Sequence, residues 1–322
     1  MNRIYNIPTE QQHLHSYVFY PQNGMGDRLL DIIGVMTFCK YKNLQMSVYW
    51  DNPPVGNNEW IYSQKLFKFP FQITNEMSNF FIYSKPSLSG SPHMLHKILT
   101  SVNFDDIVQS VSQYAKAIRP SDIVEKYIPV GIHKAYGIHL RATDKITENR
   151  EAGSYSNSKK EFDDIIFKLL HDVKNTLLME ITDTFFITSE DETWKFHITD
   201  KIRDIAKELG KNVTFLDTDI TSIDTELYTG IHAVVDMFSL SRCKCIMQGT
   251  KYSTFSIFAS LVGSRQLRNY HFKHDDPSLL YLWSPCINVN FSNSVYNPDI
   301  CSKITETHAP ITLLFCDHSL KT

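Results

Sequence analysis

The sequence predicts an α/β protein made of two Rossmann-like halves, and three observations carry that expectation. The chain opens as an apolar strand, a glycine-containing turn, an apolar helix and a second strand. From 135 to 262, short apolar runs alternate with segments of helical periodicity. Between the two series lies a stretch, 55–130, that is aromatic, irregular and rich in Ser, Asn and Pro. Alternating strand and helix signals imply a parallel sheet, because parallel neighbours need crossovers and the crossover helices cover the sheet. A chain of 322 residues is long enough for two cores, and the expected division is 1–130 and 131–322.

Taken in order, residues 14–20 read as a short strand, broken by Asn23-Gly24-Met25-Gly26-Asp27-Arg28. Residues 29–41 resume as an apolar helix, and 45–50 form a strand ended by Asp51-Asn52-Pro53-Pro54. Helices are expected near 105–117 and 120–127. Trp50, Trp60, Phe67, Phe69 and Phe71 either stack on a ligand or fill a core. The second series starts with strand 135–141 and a polar loop, 143–158. Helix 159–178 follows, with Phe162, Ile165, Ile166, Leu169 and Leu170 at helical spacing. Then come strand 183–188, helix 191–209 closed by Gly210, strand 212–216, helix 230–241, strand 243–247 and helix 253–262. The tail is less regular, with strands expected at 270–274 and 287–291.

A formal net charge of −3 gives no support for binding nucleic acid or a membrane surface, so any anionic ligand must be held by a local cluster. No run approaches the roughly 18 to 20 apolar residues that span a bilayer, and the first residues lack a signal-peptide core. A cytoplasmic protein without stable membrane insertion is expected. The six cysteines make no CxxC pair and no zinc-spaced Cys/His cluster, which predicts free buried thiols and no structural metal.

Tyr136-Gly137-Ile138-His139-Leu140-Arg141-Ala142-Thr143-Asp144-Lys145 is the most informative segment. A hydrophobic strand ends there in a set of ionisable and hydroxyl groups, at the mouth of a sheet where open α/β folds bind ligands. His139 and Arg141 share one side of the strand. Arg141 offers a planar fork and Lys145 a point charge, a pair suited to a diphosphate. Glu148 and Glu151 in the adjoining loop can supply a carboxylate base. Upstream, Gly24 and Gly26 precede a helix whose N-terminus can receive an anion, with Arg28 one turn in. The third glycine of a dinucleotide fingerprint and the GK[ST] of a P-loop are both missing. Downstream, Gln248-Gly249-Thr250-Lys251-Tyr252-Ser253-Thr254 is a hydroxyl-rich turn opening a helix, a second anion cradle formed by Thr250, Ser253 and Thr254. Asp236, on the preceding helix, can accept hydrogen bonds from a ribose or a base. Asp217-Thr218-Asp219 has the form of a divalent-cation motif but lacks companion features and reads as a loop.

In sequence, these motifs resemble the GT-B fucosyltransferase superfamily, which includes α1,6-, α1,2- and protein O-fucosyltransferases. Its hallmark strand ends in H-x-R-R-x-D, often continued by Lys, and here reads His139-Leu140-Arg141-Ala142-Thr143-Asp144-Lys145. Gly24-Met25-Gly26-Asp27-Arg28 is similar to its glycine loop, and Phe186 to Asp191 to its second motif. Asp236 to Ser241 with Thr250 to Phe255 is similar to its third. The resemblance spans 14 to about 262 and implies two Rossmann-like domains facing a cleft. It further implies a GDP-fucose donor in the C-terminal domain, with Arg141 on the diphosphate, Asp236 near the nucleoside and Ser253 near the phosphates. Transfer to a glycan hydroxyl would be inverting, with neither metal nor cofactor, and Asp144 or Glu148 would take the acceptor proton. One letter departs from the pattern: Ala142 stands where a second Arg is expected, a loss of roughly 1.5 to 3 kcal/mol if that Arg gripped a phosphate. Either Arg28 or Lys145 compensates, or the donor is another nucleotide sugar (rhamnose or xylose), or the protein binds glycan or nucleotide without catalysis. Glu148 also falls one position before the family's downstream acidic residue, where Asn149 stands.

Overall fold

In the computed structural model the described residues are 16–21, 24–50, 62–74, 81–83, 104–142, 146–147, 157–179, 184–220, 227–250, 253–270 and 289–291. Two compact units are present, Met1–Arg119 with Asp224–Gly230, and Pro120–Ile223 with Ile231–Thr322.

The first unit contains β1 (Ser16–Tyr20), α1 (Met25–Lys42), β2 (Gln45–Val48), β3 (Phe67–Lys68), β4 (Gln72–Ile73), β5 (Phe81–Tyr83) and α2 (Phe104–Ala117). Its sheet runs β4-β2-β1-β5, with parallel pairing throughout. Leu29, Leu30, Ile32, Ile33, Val35 and Phe38 of α1 are all buried, as expected of a helix that is apolar nearly all round. The helix begins at Met25 and not at 29. Gly24 takes the extended N-cap conformation, and Asp27 in the first turn suits the positive end of the helix dipole. Gly26 and Arg28 are therefore helical residues, not loop residues. Asn43, left-handed at φ 52°, closes the helix by donating its N–H to the carbonyls of Cys39 and Lys40. Trp50 is buried, donates its indole N–H to the Tyr62 carbonyl at 2.7 Å, and packs edge-on against Phe67. Phe69 stacks on Phe67 and Phe71 at 5.0 and 4.7 Å. Trp50 and Phe67 are thus core residues of this unit; Trp60 lies outside the described residues.

After β6 (Arg119–Pro120), the second unit runs through α3 (Asp122–Glu125), β7 (Tyr136–Leu140), β8 (Ile146–Thr147), β9 (Asn157–Ser158), α4 (Lys159–Met179), β10 (Thr184–Ser189) and α5 (Glu192–Glu208). It continues with β11 (Thr214–Leu216), α6 (Ile231–Arg242), β12 (Cys245–Gln248), α7 (Thr254–Gly263), β13 (Gln266–Asn269) and β14 (Val289–Phe291). The sheet order is β11-β10-β7-β12-β13-β14, every pairing parallel. The chain winds outward from β7 through β10 and β11, then crosses back to build β12, β13 and β14 on the other side. The order reverses between β7 and β12, and the crevice beyond the carboxyl ends of such a pair is where open α/β sheets take their ligands. The α/β class with parallel sheets is what the alternation of motifs led one to expect.

One face of this sheet is dry. Tyr136, Ile138, Leu140, Phe185, Ile187, Cys245 and Met247 form a single buried cluster with Phe162, Ile165 and Leu169 of α4 and Ile198 and Ile202 of α5. The opposite face meets α6 and α7. There Gly137 lets α6 approach: a Cβ at that position would lie 2.8 Å from Leu240 and 3.1 Å from the Cys243 thiol. Gly210 closes α5 at φ 65°, as expected. β13 lies at 266–269, before the strand expected from 270; Gln-Leu-Arg-Asn buries only alternate side chains and reads as polar. Residues 271–274 lie outside the described residues. Cys39, Cys243 and Cys245 are free and buried, and burial pushes the Cys39 thiol up to about 12. No described helix is long and apolar enough to cross a membrane.

Candidate functional site

β7 is buried along its length and delivers His139 to the carboxyl end of the sheet. His139 is only 6% exposed, its Nδ1 lies 2.7 Å from Ser256 Oγ of α7, and its ring stacks on Phe255 at 4.8 Å. Burial, helped by the Arg141 charge, drives its pKa down to about 3. The imidazole is therefore neutral near pH 7, a fixed hydrogen-bonding and stacking group and a weak base.

Arg141 follows directly, half-buried beyond the strand end. Ala142 sits differently. It is 4% exposed and belongs to the apolar cluster with Leu140, Phe162 and Leu169. Strand alternation sends His139 and Arg141 to one side and Leu140 and Ala142 to the other. A lost phosphate grip at this letter is thus the wrong expectation, because the side chain points into the core.

At the neighbouring strand end, the Gly249 N–H donates to the His139 carbonyl at 2.8 Å. A Cβ on Gly249 would lie 2.4 Å from the Leu140 Cδ2, so glycine lets this turn lie against β7 without moving that side chain. Gln248 donates its amide to the Thr250 carbonyl at 3.2 Å, while its Oε1 is buried without a hydrogen-bond partner. Ser253 holds the N-cap position of α7 without a side-chain capping bond, and its buried Oγ likewise has no partner. Thr250 and Thr254 beside it are buried. A buried polar atom left unpaired costs about 1 to 3 kcal/mol, and such atoms at a helix N-terminus suit an anionic or hydroxylated ligand.

Asp236 reaches the same side of the sheet from α6. Thr188 Oγ1 donates to its Oδ2 at 2.5 Å, and Thr218 Oγ1 to its Oδ1 at 3.3 Å. Burial raises the carboxyl to about 6, opposed by Thr188, the Lys195 charge and Thr218, and assisted by the like charge of Asp217. In the second motif, Asp191 accepts from the N–H groups of Thr193 and Trp194 and so caps α5. Asp217 pairs with Lys195 at 3.1 Å. Among the described residues no three His, Cys, Asp or Glu side chains are grouped to hold a metal ion.

The structure thus brings His139, Arg141, Thr250, Ser253, Thr254 and Asp236 to the carboxyl-end region of one sheet. Asp144, Lys145, Glu148 and Glu151 lie outside the described residues. Gly24, Gly26 and Arg28 belong to the first unit. There Gly24 faces open space but for Asp27 at 3.8 Å, and the buried Arg28 guanidinium lies 5.9 and 5.5 Å from the Trp50 and Tyr62 rings, a cation–π arrangement. Sequence reasoning carried Thr188, Thr218 and Gln248 inside motifs without giving them a role, and gave none to Asn269 or Ser256. Thr188, His139, Gln248 and Asn269 are in register across four parallel strands and all buried. The signal was available in part: His139 and Gln248 are each a polar letter at or next to the end of an otherwise apolar strand, whereas Thr188 adjoins Ser189 and Asn269 ends a polar strand.

No protein-family model matches the chain, and no curated protein matches it. Among solved structures the chain is similar to NodZ α-1,6-fucosyltransferase soaked with GDP-fucose, at 12% identity over 77% of this chain and 92% of that one, with a TM-score of 0.47. It is also similar to POFUT1 in complex with GDP-fucose, at 12% identity over 78% and 94%, with a TM-score of 0.43. A third similar structure is the fucosyltransferase NodZ from Bradyrhizobium, at 11% identity over 78% and 94%, with a TM-score of 0.44.

Proposed function

We propose that this chain is a glycosyltransferase moving a sugar, L-fucose from GDP-fucose, to a glycan hydroxyl with inversion and without metal or cofactor. One observation carries the reading: His139, Arg141 and the hydroxyl-lined N-terminus of α7 meet where the strand order of the second sheet reverses. Departure of a nucleoside diphosphate needs fixed positive groups and N–H dipoles. Arg141 and the α7 N-terminus with Thr250, Ser253 and Thr254 supply them on the diphosphate, joined by Lys145. Asp236 takes the nucleoside. His139, held neutral, floors the site, so the acceptor proton goes to a carboxylate, Asp144 or Glu148. In the first unit, Gly24 and Gly26 at the α1 N-terminus present N–H groups that suit a phosphate, with Arg28 in the same turn.

The alternative of a rhamnose or xylose donor rested on Ala142. With that side chain in the apolar cluster, the letter carries no information about the diphosphate. Two measurements test the proposal. Arg141→Ala should lower turnover about 100- to 1000-fold with an unchanged melting profile; unchanged turnover sinks the assignment. Thermal stabilisation by GDP but not by UDP is expected, since a ligand binding only the folded state must raise stability. Stabilisation by neither favours a non-catalytic glycan binder.

A further inference from the structure

Three elements converge on one carboxylate. Asp236 stands on α6, Thr188 near the carboxyl end of β10, and Thr218 just past β11. Each threonine hydroxyl donates to a different carboxylate oxygen, at 2.5 Å to Oδ2 and 3.3 Å to Oδ1. An ionised carboxylate offers about four lone-pair sites, so each oxygen keeps capacity for one more donor. With a hydroxyl fixed on both oxygens, the group cannot turn about its last bond without breaking both contacts. We propose that Thr188 and Thr218 are positioning residues for nucleotide binding, holding the Asp236 carboxylate in the one orientation in which its remaining lone pairs meet the nucleoside.

The inference rests on the assignment of Asp236 to the nucleoside. Thr188 is the stronger partner, since its bond is shorter and it lies within β10 in register with His139 of β7, whereas Thr218 lies past the end of β11. The charged groups facing Asp236 are Lys195 of α5 and Asp217 past β11, themselves paired at 3.1 Å; His139, across from Thr188 on β7, is neutral. Burial holds the Asp236 carboxyl up to about 6 while the two hydroxyls and Lys195 pull it down. Removing a hydroxyl therefore both frees the group and makes its ionised form harder to reach.

The test is GDP binding by calorimetry from about pH 5 to 8, on the parent protein and on Thr188→Val, Thr188→Ser, Thr218→Val and Asp236→Asn. Parent affinity should fall as pH drops through about 6. Thr188→Val, nearly isosteric, should weaken GDP about tenfold at pH 7 and move that midpoint upward, as loss of a hydrogen bond to a charged group predicts. Thr188→Ser should restore both values, and Thr218→Val should show the same changes at smaller size. Asp236→Asn should weaken binding and leave only the pH dependence of GDP's own terminal phosphate, which also ionises at about 6. Should Asp236→Asn bind GDP like the parent, the nucleoside assignment itself fails. Should Asp236→Asn bind weakly while Thr188→Val keeps the parent affinity and midpoint, the positioning role alone is overturned. A Thr188→Val defect that serine does not rescue, with an unmoved midpoint, marks a merely structural residue and also overturns it. Carboxyl-carbon NMR of Asp236 in Thr218→Val and Thr188→Ser reads the same titration even where Thr188→Val folds poorly.

Discussion

The two faces of the second sheet are made from the same strands yet differ in kind. Toward α4 and α5, β7 presents Tyr136, Ile138 and Leu140, and the cluster they enter is apolar throughout. Toward α6 and α7, the in-register row near the strand ends is Thr188, His139, Gln248 and Asn269. A period of two residues makes this possible, since one strand writes both faces with alternate letters. The dry face contributes cohesion at roughly 25 cal/mol per Å² of buried apolar surface. The polar row costs stability wherever a group such as Gln248 Oε1 is unpaired, and it lies where the strand order reverses. The proposed site lies on the face that stabilises the fold less, and that division can be broken from either side.

The largest effect is expected from Ala142→Arg, the change that restores the full H-x-R-R pattern. Ala142 points into the Leu140, Phe162 and Leu169 cluster, so the guanidinium must enter an apolar core or displace the β7 end. A loss of about 3 kcal/mol or more in urea unfolding is expected, with no gain in transfer. A stable variant with faster turnover would show that the position faces ligand and that the two faces are not separate.

On the polar face, pH separates the buried His139 from the partly buried Asp236. His139 has its pKa lowered from 6.5 to about 3 in the fold, so the unfolded chain binds the extra proton in that window. Its contribution is fully present above 6.5 and is lost as pH falls towards 3, with a slope of up to about 1.4 kcal/mol per pH unit. Asp236, raised from 3.8 to about 6, has the opposite sign: the folded state holds the proton, and stability falls as pH rises through that window. The two slopes offset one another between about pH 4 and 6. His139→Gln should therefore be less stable than the parent at neutral pH, with the gap closing as pH falls below 6.5, while Asp236→Asn should gain on the parent as pH rises towards 6. Denaturant melts across that range check both signs, and parallel curves for His139→Gln and the parent would refute a neutral buried imidazole.

Much of this architecture was legible in the letters. Helix α4 follows from Phe162, Ile165, Ile166 and Leu169 at helical spacing, and β7 from an apolar run ending in charge. His139, Arg141 and Asp236 could be selected because ionisable groups beside apolar strands demand a partner or a ligand. Ala142 was misjudged because a motif records order along the chain, whereas the pleat decides which face each letter serves. Thr188 and Thr218 were given no role for another reason: a threonine at or just past a strand end is ordinary, and its bond to Asp236 spans 48 residues in one case and 18 in the other. The first turn of α1 was missed because Gly24 and Gly26 read as breakers, while a glycine at an N-cap is a helix start.

The smallest effect gives the sharpest separation of the faces, because it matches two variants in stability and asks whether they differ in binding. Ser256→Ala removes the partner of His139 Nδ1 on the polar face, at a cost of about 1 to 2 kcal/mol. Ile165→Val trims one methyl group from the dry face and costs about 0.5 to 1.5 kcal/mol. If the polar face is the ligand face, Ser256→Ala should weaken GDP several-fold because the imidazole and the Phe255 ring it stacks on lose their fixed placement. Ile165→Val, equally destabilised, should bind GDP like the parent. Equal GDP affinities in the two variants, measured beside their urea midpoints, would mean that binding follows global stability and that the polar row has no private role in holding the ligand.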